Sequence, residues 1–106
     1  MNAAAPEAKA AAEWAALSDE ELIRRMFTDA DQLPIEFARQ VISRGTRITP
    51  LLADVVRDER NWSREDAGWC AVVHATCLMG AIGGDEAIGP LVDVLRIAEA
   101  FEEDWL

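Results

Sequence analysis

The chain has 106 residues, 51% of them hydrophobic, and a formal charge of -10. That length gives one domain, able to bury about two thirds of the surface its unfolded form exposes. No apolar run approaches the roughly 20 residues that span a bilayer, and residues 1–17 lack the basic start and apolar core of a secretory signal, so a cytoplasmic protein is expected.

The acidity sits at the two ends. Residues 1–31 hold seven acids against three bases, residues 32–84 six against six, and residues 85–106 seven against Arg96 alone. Nucleic acid and anionic membranes bind through Lys and Arg that displace counterions, so such ends exclude both as partners. Solubility is the plain explanation of the charge, and a decoy for a basic protein groove is the sharper one.

In chain order, residues 1–17 form an Ala-rich arm that favours helix locally but offers little to bury, and a frayed or disordered segment is expected there. Ser18, with Glu21 three residues on, spells a capping box and starts a helix over Asp19 to about Phe27, with Leu22, Ile23, Met26 and Phe27 as its apolar stripe. Pro34 suits the first turn of the next helix, where Ile35, Ala38, Val41 and Ile42 share a face, and Gly45 suits its stop. Thr49 and Pro50 open a third helix that buries Ile48, Leu51, Leu52, Val55 and Val56 and leaves Arg57 to Arg60 in water.

Ser63 is a suitable cap for a helix opening on Arg64-Glu65-Asp66. From Trp69 to Ile82 no residue is formally charged if His74 is neutral, so this helix is packed from several sides. Gly83-Gly84 ends it. The last helix then starts at Asp85 or Glu86 and turns Ile88, Leu91, Val92, Leu95 and Ala98 inward.

The chain also repeats itself. Ile48-Thr49-Pro50-Leu51-Leu52-Ala53-Asp54-Val55-Val56-Arg57 returns, one residue shorter, as Ile88-Gly89-Pro90-Leu91-Val92-Asp93-Val94-Leu95-Arg96, with 40 residues between the two isoleucines. A period in that range marks stacked helical hairpins, each leaning on its neighbour. The expected fold is therefore all-α: stacked antiparallel helical hairpins in a short α-solenoid of about 4–5 helices, with 18–106 as the domain and units at about 33–60 and 64–101.

The run from Trp69 to Leu95 resembles a HEAT-type repeat, including the phycobilin-lyase-like variety of bacteria. The likeness lies in Ala75 and Gly80 where helices approach closely, in the Gly84-Asp85-Glu86-Ala87-Ile88 turn, and in the helix with Pro90, Leu91 and Leu95. It departs from the family where Gly68-Trp69 replaces an arginine-containing start, and the first unit is shorter and lacks the Gly-Asp turn. The resemblance implies a protein interaction scaffold and supplies no catalytic residue. It also implies that the second helix of each hairpin lines a concave face, which places Asp54, Arg57 and Asp58 beside Asp93, Arg96 and Ala100.

Candidate chemistry is sparse. Cys70, His74 and Cys77 share a helix face at metal-ligand spacing, but a fourth ligand is missing, and a buried Cys or a lone His in an apolar helix is ordinarily core. Seven residues rise about 10.5 Å, too far for a disulfide, so both thiols should be reduced. Asp85-Glu86 and Glu102-Glu103-Asp104 read as solvated acids rather than cation ligands. Trp69 reads as core, while Trp14, Trp62 and Trp105 lie near helix ends. No enzyme, cofactor or metal is expected.

The favoured function is protein–protein recognition by a non-catalytic HEAT-like module, the alternative being a small acidic mimic of nucleic acid. The last helix ends in Phe101-Glu102-Glu103-Asp104-Trp105-Leu106, where a polar cap would be expected. Phe101 and Trp105 are thus candidates for cover by a second copy in a homodimer, or by a further repeat of a longer chain.

Overall fold

Six α-helices joined by short turns make up the computed structural model, which describes residues 6–63 and 67–105, with side chains over 10–63 and 67–101. No strand occurs among the described residues, and the class is all-α.

Helix α1, Pro6–Ala15, lies where a frayed arm was expected. Its alanines bury little, but Trp14 does. That ring is buried, meets Phe37 edge-on at 5.3 Å, and carries the Arg25 guanidinium 4.7 Å from its centroid. One large aromatic at the end of an Ala-rich helix supplies the apolar area and cation–π attraction that hold it down. The helices therefore number six rather than four or five.

Helix α2, Asp19–Thr28, starts as its cap predicts, with the Glu21 amide donating to Ser18 Oγ at 3.1 Å. Leu22 and Met26 are fully buried. Helix α3, Ile35–Arg44, differs from expectation: Phe37 and Val41 are buried, whereas Ile35 and Ile42 are exposed. The cause is α1, whose Trp14 draws Phe37 inward and so rotates the buried stripe.

Two connections are built alike. Helix α3 ends at Gly45 with φ +66°, a 3-10 turn covers Gly45–Arg47, and α4 runs over Thr49–Arg57 with Pro50 second. Helix α5, Ala67–Ile82, leads to Gly84 with φ +84°, a 3-10 turn over Asp85–Ala87, and α6 over Ile88–Trp105 with Pro90 third. Positive φ is cheap only for glycine, so both corners place glycine there. The expected helix start at Arg64-Glu65-Asp66 lies outside the described residues.

A further 3-10 turn, Glu59–Trp62, closes α4. Asn61 Nδ2 donates to the Val55 carbonyl at 3.0 Å and the buried Trp62 Nε1 to the Val56 carbonyl at 2.8 Å, satisfying acceptors that a helix end leaves unpaired. Trp62 is thus the core tryptophan of this region. Trp69, expected there, is half-buried and meets Trp62 at 5.8 Å.

The helices form two layers. Helix α3 lies beside α1 and α5, and α4 lies beside α2 and α6, while α5 packs across the layers on α2 and most extensively on α4. The molecule measures 58 × 31 × 18 Å. Its radius of gyration, 15.0 Å, exceeds the roughly 13 Å typical of a chain of this length. The core runs between the layers through Leu22, Met26, Val41, Ile48, Leu52, Val56 and Met79. Ala71 and Ala75 of α5 are fully buried, which permits the close approach expected at Ala75. Gly80 is different: it is exposed, and a Cβ there would meet nothing within 4 Å.

Candidate interaction surfaces

The adjacency of α4 and α6 decides what the charged candidates do. Arg57 Nε donates to Asp93 Oδ2 at 2.8 Å, and Arg96 Nη1 lies 3.9 Å from Asp93 Oδ1 with its side chain 77% exposed. Arg57 and Asp93 thus pair with each other across the helices. Asp58 serves the turn instead, accepting from the Arg60 amide at 3.1 Å and from Arg60 Nη2 at 2.7 Å, and the Arg60 guanidinium holds its carboxyl below the ordinary range. Of these candidates Asp54, Arg57, Arg96 and Ala100 are exposed, Asp58 and Asp93 half-buried.

Phe101 is half-buried. Its ring stacks on Trp62 with centroids 5.7 Å apart and planes inclined by 25°, so it covers the chain's own core. The side chain of Trp105 lies outside the described residues.

Helix α6 holds the main surprise. Ile88, Val92 and Leu95, expected inside, are 59%, 39% and 70% exposed. Spaced at i, i+4 and i+7, they form one uncovered stripe, while Ala87, Pro90, Leu91, Val94, Ile97, Ala98 and Phe101 turn toward the protein. The Phe101–Trp62 stack and the Asp93–Arg57 pair fix this rotation.

The repeat predicts the opposite. Because the second copy is one residue shorter, its tail Asp93-Val94-Leu95-Arg96 matches Asp54-Val55-Val56-Arg57 at an offset of 39, not 40. At 39, Val94 answers Val55 and Leu91 answers Leu52, all packed inward. Ile88, Val92 and Leu95 then answer Thr49, Ala53 and Val56, which are 2%, 3% and 0% exposed. In α4 this side is covered, and Arg57, one turn after Ala53, reaches Asp93 of α6 from it. In α6 the equivalent side is open.

The outer face of α5 is the other apolar surface. Val73 and Cys77 are exposed, Cys70 and His74 half-buried, so these thiols and the imidazole are not the core residues expected. Cys77 borders two shallow clefts, one of about 270 Å³ against Leu33, Ile35 and Ala38, the other of about 220 Å³ against Trp69, Val94 and Ala98. The lack of charge in α5 hides this exposure in the sequence, since no charged residue marks the outer side.

His74 Nε2 lies 2.8 Å from the carbonyl of Ala30, a residue with φ +49° in the 3-10 turn Ala30–Gln32. The imidazole therefore pins a turn. Among the described residues no three His, Cys, Asp or Glu side chains converge as a metal site would require. No described helix is long and apolar enough to cross a membrane.

Compared with protein families, curated proteins and solved structures, the chain matches none.

Proposed function

We propose that this chain is a non-catalytic protein–protein interaction module of HEAT-like helical pairs, working in the cytoplasm. The observation that carries the reading is the open stripe of Ile88, Val92 and Leu95 on a helix whose repeat-mate buries the equivalent side. Exposed aliphatic side chains aligned along one helix face cost solvation and are characteristic of surfaces that meet another protein. The likeness of Trp69 to Leu95 to HEAT-type repeats and the two-layer arrangement of helices support the same reading.

The acidic-mimic alternative is weakened by how the acids are used. Asp19, Asp29, Asp58 and Asp93 are engaged by arginines of the same chain and do not present an unbroken stripe of negative charge. The test is affinity capture from extract of the source cells at low and high salt, with Leu95→Glu run in parallel. A protein retained by the parent at high salt and lost by the variant supports the reading, because packed apolar contacts resist salt. Identical captures by parent and variant overturn it.

A further inference from the structure

Resting on that reading, we propose that the Ile88–Val92–Leu95 face of α6 docks an amphipathic helix of a partner protein that carries Lys or Arg beyond its apolar stripe. Two observations select this occupant.

The first is the chain's own solution for the same side of a helix. Thr49, Ala53 and Val56 of α4 are buried, and Arg57, one turn after Ala53 on that side, reaches Asp93 of helix α6. A helix is thus the shape that fits along this side. From Ile88 to Leu95 the stripe rises about 10.5 Å, two turns, so three aliphatic side chains spaced at i, i+3 or i+4, and i+7 on the incoming helix would fill it.

The second is charge. Asp85 and Glu86 are exposed before the stripe, and Glu99, one turn past Leu95 on the same side, is exposed after it. The sequence continues with Glu102-Glu103-Asp104. Arg96 is the sole base of the helix, and it lies within 3.9 Å of Asp93. An apolar strip bracketed by acids is complemented by an apolar strip bracketed by bases. A second copy of this chain fits poorly on the same count. Paired antiparallel about the middle of the stripe, it would set Glu99 of one copy beside Asp85 of the other, and paired parallel it would set each acidic group against itself. Each copy also carries a net charge of -10.

The probe is a fluorescently labelled helical peptide of about 15 residues with leucines at i, i+4 and i+7 and lysines at both ends, and its twin with every Lys replaced by Glu. Fluorescence anisotropy with the full chain should show saturable binding of the Lys peptide, weakening several-fold when salt is raised across the range where the Debye length falls from about 30 to 8 Å. Leu95→Glu should weaken it at least about tenfold, while Ile42→Glu, on another face, should leave it unchanged. Both replaced side chains are exposed, and coincident thermal melts with the parent confirm folding. Equal binding of the two peptides, or equal binding to parent and Leu95→Glu, overturns the proposal. So does sedimentation showing a micromolar dimer that Leu95→Glu dissociates, since a second copy would then cover the face. If the peptide result fails while Leu95→Glu still loses a captured partner, the basic-helix inference alone falls. If neither depends on Leu95, the interaction reading falls with it.

Discussion

The carboxylate of Asp19 is shared by two arginines, Arg44 donating to Oδ1 and Arg47 Nε donating to Oδ2 at 2.9 Å. Arg44 also donates to the Leu17 carbonyl at 2.8 Å and, through Nε, to Gln40 Oε1 at 2.8 Å. One guanidinium thus ties the end of α1 and the start of α2 to α3. Its side chain is only 9% exposed, so each of its three nitrogens donates to protein at a site largely closed to water.

Removing that fork should loosen the α1–α2 corner. Arg44→Ala is expected to cost on the order of 2 to 3 kcal/mol, the range for charge-assisted bonds lost at a largely buried site. Arg44→Lys should recover part of the loss, because a single ammonium cannot reach all three acceptors. Arg47→Ala, at an exposed side chain, should cost less than Arg44→Ala. Urea midpoints of the variants check the order.

The same corner gives the protein an acid-sensitive term. Hydrogen bonding from Arg47, aided by Arg44 and opposed by burial, holds the Asp19 carboxyl below its ordinary value of 3.8. A depressed folded pKa stabilises the fold above 3.8 and loses that contribution as pH falls through the lower folded value. Asp19→Asn should therefore be less stable than the parent near neutrality, and the gap should shrink below 3.8. A gap independent of pH in thermal melts would rule out the ionised carboxylate as its source.

Ala30 holds a left-handed backbone, φ +49°, beneath His74. Glycine avoids the Cβ clash there, so Ala30→Gly should raise stability by up to about 1 kcal/mol. His74→Ala should do the opposite, by about 0.5 to 1.5 kcal/mol for the lost hydrogen bond. Chemical denaturation of the two single variants measures both signs.

Thr49 Oγ1 is buried without a hydrogen-bond partner at the start of α4. Valine has the same shape and no oxygen to desolvate. Thr49→Val should stabilise the fold by about 1 to 2 kcal/mol, read as a higher urea midpoint at unchanged slope.

Gly80 lies in the last turns of α5 facing open space. Since a Cβ meets nothing there, Gly80→Ala should gain helix propensity, about 0.8 to 1 kcal/mol, where a close helix contact would instead make it destabilising. The melting temperature of this one variant separates the two arrangements.

Composition, periodicity and capping by themselves determined the all-α class, the start of α2 at Ser18, helix α4 with Ile48, Leu52, Val55 and Val56 of its expected stripe buried and Leu51 half-buried, and the glycines that end α3 and α5. These are local matters: a cap, a proline or a glycine acts within one turn, and α4 is amphipathic enough that only one rotation buries its stripe. Tertiary structure alone decided the rest. An Ala-rich segment became α1 because Trp14 found Phe37, 23 positions further along the chain, and that contact turned Ile35 and Ile42 outward. Helix α6 carries aliphatic residues around most of its circumference, so several rotations were equally apolar in sequence. The contact of Phe101 with Trp62 and of Asp93 with Arg57 chose the one that leaves Ile88, Val92 and Leu95 uncovered. Which apolar face of a helix is buried depends on neighbours supplied from elsewhere in the chain, and hydrophobic burial is non-directional until those neighbours are in place.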